Sequence, residues 1–255
     1  MVEIIRAHER ITDRLPRDQV KQILVFNSKG ELRPFTGQTV YHRKHMSDTI
    51  NTEAIAGDLN KLGPIKLKLA NECKLESLWD QLVSRYHYLS YQKLLGHRLK
   101  YLAFINNRPV AALSWSAPAL KLRVRDHFIG WSDEQRKTHL NRITNNSRFL
   151  ILPWVRVPNL ASHVLSLNID QIKKDWPQHF KTELVLLETF VDPRFFKAIS
   201  YKAANWKFIG QTLGFTKKGK GYTYHGDVKD VFVYVLERFA LSCFLKPFRE
   251  ARQGR

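Results

Sequence analysis

The stretch RFLILPWVRV, residues 148–157, decides the fold of this chain. It is an apolar run bounded by turn-forming residues, which is typical of a strand at the centre of a sheet. Pro153 lies inside it and has no N–H to donate to a neighbouring strand, so we expect a bulge or splay there. A predicted helix at 159–173 and a second apolar run at 184–191, LVLLETFV, come next. This order predicts an α/β domain.

The segments on either side extend the same alternation of strands and helices. Ser132 and Gln135 form the pattern of a capping box, which predicts a helix over 132–143. The other predicted elements are a helix at 74–87, a hairpin at 100–115 turned at Asn106-Asn107, a helix at 193–206 and a final strand at 230–236. The predicted fold class is therefore α/β (α+β), with a mixed sheet and helices on both faces.

Composition divides the chain into three parts. Residues 1–70 contain few apolar repeats and end near Gly63-Pro64, so we interpret them as an N-terminal extension. Residues 71–245 hold the predicted α/β domain, and residues 246–255 form a basic tail.

The charge distribution indicates an anionic partner. The net charge is +19, and the windows 81–125, 135–169 and 193–226 contain 8, 5 and 7 Lys or Arg residues but no Asp or Glu. A solvated helix face usually alternates in sign, so charge of one sign over such lengths favours a polyanion, and nucleic acid is the commonest. A generally basic, ribosome-associated protein is the alternative, and a membrane surface is a weaker one.

Other classes of protein find little support. Cys73 and Cys243 are far apart with no CxxC motif, and His42 and His45 have no further ligand beside them to complete a zinc site. No apolar run approaches the roughly 20 residues of a membrane-spanning helix, and the N-terminus lacks a signal-peptide core. We therefore expect a cytoplasmic protein.

Arginine and amide side chains flank the predicted central strand. Asn146 and Arg148 lie where it begins, and Arg156 and Asn159 lie where it ends. These side chains suit phosphate groups and base edges, so all four are candidate nucleic-acid-binding residues. The alternative is that the amides cap turns and the arginines are solvated.

Glu188 is an isolated carboxylate in an apolar strand, which is costly unless it is paired or faces a cleft. It is a candidate catalytic base, and the alternative is a buried ion pair with Arg148 or Arg156. Asp192 lies four residues on, about 13 Å away in a strand, which is too far to share a metal unless the strand ends before it. If Mg²⁺ or Mn²⁺ is used, these two carboxylates are the candidate ligands. Alternatively, Asp192 caps a helix that begins at Pro193.

Aromatic and basic residues supply the remaining candidates. Tyr201 and Asn205 are four apart on a predicted helix and share a face. Tyr201 is a candidate general acid, nucleophile or stacking residue, and the alternative is that it belongs to the core. The first acid-free window interleaves tyrosines with basic residues, as single-strand binding proteins do. Asn205 is a further candidate nucleic-acid-binding residue, and so are Lys217, Lys218 and Lys220 of the Gly/Lys-rich loop KKGKGYTYHG.

The order of the predicted elements resembles the Gcn5-related acetyltransferase fold. In that fold, a helix-opening turn after the fourth strand binds the acyl-CoA pyrophosphate on backbone N–H groups. Here that turn is RVPNLA, residues 156–161, which has no glycine, and Pro158 removes one donor. The resemblance therefore implies the fold without acyl-CoA binding, and an acyltransferase is the alternative.

Longer segments resemble the DruA-like family, named for a component of the Druantia anti-phage system. They are YHYLSYQKLLGHRLKYL (86–102), GWS (130–132), NNSRFLILPWVRVPNLASHVL (145–165), LLETFVD (186–192) and YKAANWKFIGQTLGF (201–215). The resemblance covers roughly residues 70–240, and members also occur beside transposases, which implies a role on DNA. The positions that fall in these motifs are Tyr88, Asn146, Arg148, Arg156, Asn159, Glu188, Asp192, Tyr201 and Asn205.

Residues and resemblance together predict a DNA-binding protein of a mobile-element or anti-phage system, acting on single-stranded or unpaired DNA. A strand-cleaving or rejoining activity would use Tyr201 or Tyr88 as nucleophile and Glu188 as base or metal ligand. The other alternative is a non-catalytic adaptor that loads DNA onto a helicase or transposase.

Overall fold

The fold is known from a computed structural model, which describes residues 24–26, 32–34, 50–71, 74–91, 94, 96–218, 221–224 and 226–236. The long strands are β4 (Lys66–Leu69), β5 (Leu99–Ile105), β6 (Arg108–Ser116), β7 (Ile143–Ile151), β9 (Leu186–Val191), β10 (Lys207–Gln211) and β13 (Asp230–Val235). The short strands are β1 (Leu24–Phe26), β2 (Leu32–Pro34), β3 (Ile55–Ala56), β8 (Val155–Arg156), β11 (Phe215–Lys218) and β12 (Gly221–Tyr224). The helices are α1 (Lys74–Tyr86), α2 (Arg123–Ile129), α3 (Asp133–His139), α4 (Leu160–Phe180) and α5 (Ile199–Ala203).

The long strands form a mixed seven-stranded sheet in the order β10-β13-β9-β7-β6-β5-β4. Every neighbouring pair is antiparallel except β7 and β9, which run parallel and are connected through α4. This arrangement confirms the predicted α/β class with a mixed sheet. Its central strands are the two apolar runs that the sequence identified.

The helices cover both faces of the sheet, as predicted. Successive residues of a strand point to opposite faces. On β5, Lys100 donates to Glu76 of α1, whereas the next residue, Tyr101, donates to Asp175 of α4. The α1 face and the α4 face are therefore opposite sides of the sheet, and α5 packs beside α4.

Local signals placed several elements correctly. The hairpin turns at Asn106 and Asn107, both with positive φ, as the two-residue turn requires. Ser132 accepts a hydrogen bond from the N–H of Gln135, and the Gln135 side chain accepts one from the N–H of Ser132, so the capping box is present. The backbone turns at 152–154, where Pro153 interrupts the apolar run.

Other boundaries differ from the predictions. The central strand begins at Ile143 rather than residue 148, and α2 was not predicted. The helix expected over 193–206 is only α5, because Asp192 ends β9 in a turn instead of starting a helix. β4 pairs with β5, so residues placed in the N-terminal extension form the edge of the main sheet. The tail at 246–255 lies outside the described residues.

Within the described part of the chain, no helix is both long and apolar enough to cross a membrane.

Candidate functional site

The sheet opens between its two parallel strands. β7 and β9 pair only from Ile143–Leu186 to Asn145–Glu188, after which β7 continues along β6 and β9 along β13. The hydroxyl of Thr189 lies 3.1 Å from the backbone oxygen of Asn146 at the start of this opening. At this opening, Asn146 of β7 lies beside Thr189 of β9.

A polar bridge of Asn146, Thr189 and Tyr201 closes the α4 face of the opening. The Tyr201 hydroxyl donates to Asn146 Oδ1 at 2.6 Å and lies 3.3 Å from Thr189 Oγ1. Burial raises the pKa of Tyr201 well above its ordinary value, although Thr189 acts the other way. The hydroxyl therefore keeps its proton and serves as a donor inside the structure.

Glu188 points to the opposite face from this bridge, which corrects the predicted pairing of Tyr201 with Glu188. It is fully buried, and its carboxylate accepts hydrogen bonds from Arg125 Nη1 at 2.9 Å and from the Ala119 N–H at 2.8 Å. Burial raises its pKa, while Arg125 and Ala119 act against that rise. The buried ion pair that the sequence offered as the alternative exists, but its partner is Arg125 rather than Arg148 or Arg156.

Arg148 lies on the α1 face of the opening, held by carbonyls instead of carboxylates. It faces Ser114 across a β-bulge, in which Ser147 is the extra residue of β7. Its Nε donates to the Ser90 carbonyl at 3.2 Å and its Nη1 to the Ser147 carbonyl at 2.6 Å. Only 8% of it is exposed, and no carboxylate among the described residues pairs with it. Burial lowers its pKa below the ordinary value.

An aromatic cluster, which we call the Tyr88 platform, stands beside Arg148. His87 stacks on the Tyr88 ring with centroids 4.9 Å apart, and Phe195 and Phe196 contact the same ring at 6.1 and 5.1 Å. The Tyr88 side chain nevertheless remains 46% exposed. Partial burial and then the nearby Asp192 raise the pKa of Tyr88 to about 12, while Arg148 acts the other way.

His87, directly before Tyr88, is held in its neutral form. Burial, and then the nearby Arg148 cation, lowers the pKa of His87 to about 3. Its Nδ1 accepts a hydrogen bond from the Leu89 N–H at 3.1 Å, which requires an unprotonated nitrogen. Because His87 is neutral, the positive charge beside the platform comes from Arg148 and not from the platform itself.

Asp192 supports the turn that carries the two phenylalanines. Its carboxylate accepts hydrogen bonds from the Arg194 N–H and guanidinium, and Arg194 also pairs with Asp227. Burial alone would raise the pKa of Asp192, but the bonds from Arg194 lower it below the ordinary value. Across the described ranges, no group of three or more His, Cys, Asp or Glu side chains could hold a metal ion.

The other predicted residues lie apart from this cluster. Arg156 and Asn159 are exposed at the far end of the apolar run, and the side chain of Asn159 makes no capping hydrogen bond to α4. Asn205 is exposed after α5 with a φ of 63°. Lys217 and Lys218 lie on β11, with side chains outside the described set, and Lys220 is outside the described residues.

Several residues of the site were not predicted from the sequence. Arg125 gave no signal, because its partner Glu188 is 63 positions away. His87 stands next to Tyr88, and Phe195 and Phe196 follow Asp192 by three and four positions, so nearness in the sequence to these two candidates was a usable signal. Thr189 was hidden by its position in an apolar strand.

These features define an α/β protein with an open central sheet, a buried arginine at the opening and an aromatic platform beside it. The chain belongs to the DruA family: the model of that family, described as Druantia protein DruA, matches residues 15–223. The predicted resemblance is thereby confirmed, and so is the anti-phage context in which the family is placed. No curated protein matches the chain by sequence.

Comparison with solved structures finds acetyltransferases. One is an aminoglycoside acetyltransferase in complex with coenzyme A and kanamycin, at 14% identity over 72% of this chain and 100% of that one, with a TM-score of 0.43. Another is an N-acetyltransferase from Staphylococcus aureus Mu50, at 12% identity over 68% and 98%, with a TM-score of 0.40. A GNAT-family acetyltransferase from Streptococcus pneumoniae matches at 14% identity over 68% and 100%, with a TM-score of 0.43. Identities this low carry no information on activity.

Proposed function

We propose that this protein binds DNA as a component of an anti-phage defence system and acts on single-stranded or unpaired DNA. The family supports the defence context. The net charge of +19 supports a polyanionic ligand, because each neutralised phosphate releases counterions. Use of Mg²⁺ or Mn²⁺, recombination or transposition, and a helicase or transposase partner stay predictions.

The observation that carries the proposal is the buried guanidinium of Arg148, with which no carboxylate of the described residues pairs. A buried cation is costly unless an anion or hydrogen-bond acceptors compensate it. Two carbonyls, those of Ser90 and Ser147, hold the Arg148 guanidinium in one orientation, but a carbonyl carries no full negative charge. A DNA phosphate would supply that charge, and the planar guanidinium suits it.

Strand cleavage by Tyr201 and Glu188 is not part of this proposal. The two side chains lie on opposite faces of β9. A phenol needs a base or metal nearby to become a nucleophile, and the Tyr201 hydroxyl instead donates to Asn146. An acyltransferase, the alternative from the sequence, has no observation at the site in its favour.

The test compares the affinity of purified wild-type protein and variants for a labelled single strand of about 20 nucleotides, measured by fluorescence anisotropy. Arg148→Met keeps most of the apolar stem and removes the charge. We expect it to weaken binding about tenfold or more, because a charge-assisted hydrogen bond contributes about 1.5–3 kcal/mol.

The control is Arg123→Ala, which removes an exposed cation of α2 from the same acid-free window as Tyr88. We expect a loss of about threefold or less, since an exposed charge is screened. Thermal melting and circular dichroism establish that both variants are folded. Wild-type protein that binds no DNA, or equal losses in the two variants, would overturn the proposal.

A further inference from the structure

The Tyr88 ring has the properties of a preformed stacking surface. It is backed by the His87 ring, which lies 4.9 Å away with an interplanar angle of 29°. Phe196 meets the same ring at 5.1 Å and 59°, which fixes its orientation from the side. An aromatic ring that is held on several sides and still 46% exposed can accept a further ring at low entropic cost.

The turn that supports the platform is itself anchored. Phe195 and Phe196 follow Arg194, whose guanidinium lies over the Phe195 ring at 5.5 Å and bridges Asp192 to Asp227. The N–H groups of Phe195 and Phe196 also donate to the Asp192 carbonyl at 3.2 and 3.0 Å. The platform is thus tied to the end of β9, next to the opening of the sheet.

Arg148 is held against the segment that carries this ring. Arg148 donates to the carbonyl of Ser90, two residues after Tyr88. Its positive charge acts to lower the pKa of both Tyr88 and His87. The site therefore combines one exposed aromatic ring with one fixed cation. That is the pair of contacts a single nucleotide offers, a base and a phosphate.

We propose that the Tyr88 platform and Arg148 together bind one unpaired nucleotide of DNA, with its base stacked on Tyr88 and its phosphate on Arg148. This rests on the proposed function and specifies its ligand. In a duplex, each base is already stacked between its neighbours, so a protein ring reaches it only after it has left the stack. A single strand, or a duplex with an extrahelical base, presents such a base without that cost.

The experiment measures a preference rather than an affinity. A fully paired duplex and the same duplex with one extra unpaired nucleotide compete for wild-type protein, and the ratio of their dissociation constants is determined. We expect wild type to favour the duplex with the unpaired nucleotide by about five- to a hundredfold, the range of one base–aromatic stack.

Three variants locate that preference. Tyr88→Ala should abolish it, whereas Tyr88→Phe should keep it within about twofold, because the ring and not the hydroxyl makes the stack. Phe208→Ala, which truncates an aromatic of similar exposure on the edge strand β10, should leave it unchanged. Circular dichroism and thermal melting establish folding for each.

The outcomes separate the two proposals. Absence of binding to any DNA sinks the proposed function and this inference with it. DNA binding without a preference for the unpaired nucleotide, or a preference that survives in Tyr88→Ala, overturns the inference alone. Loss of the preference in Tyr88→Phe would also overturn it, since a required hydroxyl indicates a hydrogen bond or a nucleophile rather than a stacking surface.

Discussion

At the scale of single residues, three buried cations in the described part of the chain differ in what surrounds them. Lys100 contacts the carboxylates of Glu76 and Asp80, and Arg125 contacts those of Asp126 and Glu188. Among the described residues, the Arg148 guanidinium donates to the carbonyls of Ser90 and Ser147 and pairs with no carboxylate. A paired buried charge is compensated within the fold, whereas one without a counter-ion remains costly until an anion pairs with it.

The first prediction concerns Glu188, which we expect to be structural. Glu188→Ala leaves Arg125 buried with one carboxylate fewer, so the free energy of unfolding should fall by about 3–5 kcal/mol in urea denaturation. Glu76→Ala, which likewise leaves one carboxylate beside a buried cation, is the matched control and should cost less, because Glu76 is 28% exposed whereas Glu188 is fully buried. A stable Glu188→Ala protein that has lost DNA binding would contradict this reading.

The second prediction uses the neutral His87. Its pKa is about 3 in the folded protein and near 6.5 when unfolded, so between these values only the unfolded state takes up the proton. Its contribution to stability is therefore fully present well above pH 6.5 and is lost as the pH falls toward 3, at up to about 1.4 kcal/mol per pH unit. Urea denaturation at about pH 7 and about pH 5.5 measures the loss.

The variant His87→Asn isolates this residue from the other histidines, because asparagine offers an acceptor without titrating. The difference in stability between the two pH values should be smaller in the variant by about 1 kcal/mol. Identical pH dependence in variant and wild type would show that His87 is not held neutral by the fold.

At the scale of elements, backbone irregularities position the helices and the site. The bulge in β7 lets Asn146 face α5 while Arg148 faces the opposite side. A second irregularity, between Phe208 and Gly210 of β10, lies where α2 packs against that strand. Gly210 has a φ of 132°, and a Cβ there would lie 3.0 Å from Val124 Cγ1 of α2.

The third prediction follows from that contact. Gly210→Ala should lower the free energy of unfolding by about 2–4 kcal/mol, because backbone strain and overpacking against Val124 add. Gly57→Ala is a matched control, since Gly57 has a φ of 127° but a Cβ there would meet no atom within 4 Å. It should cost only the strain, about 1–3 kcal/mol. Equal losses would mean that the approach of α2 does not depend on the glycine.

At the scale of the whole molecule, folding neutralises part of the basic charge. The three acid-free windows hold 20 of the 42 Lys and Arg residues. Lys100, Arg125, Arg136 and Arg194 lie in those windows, yet each forms an ion pair with a carboxylate outside its window. The other cations and the net charge of +19 leave a strong excess of positive charge for a polyanion.

The fourth prediction is that DNA binding weakens steeply with salt. If six or more phosphates of a single strand are contacted, affinity should fall about three-hundredfold or more between about 50 mM and about 200 mM salt. The slope of log affinity against log salt in anisotropy titrations measures the number of contacts. Arg148→Met should reduce that slope by about one, and a slope near zero for wild type would refute an electrostatic mode of binding.

The sequence by itself determined the elements whose signals are local. The Asn106-Asn107 turn, the capping box of α3 and the existence of the two apolar central strands depend on residues within a few positions of each other, and these were predicted correctly, although the first strand begins earlier than predicted. The α/β class followed from their order.

Only the tertiary structure decided which side chains meet. Glu188 pairs with Arg125 rather than with Arg148 or Arg156, and Tyr88 joins Arg148 from 60 positions away. The physical reason is that a strand residue's face depends on register, and one bulge at Ser147 changes it. The pattern of apolar residues identified the strands, but the order and register of the strands in the sheet determined which side chains form the site.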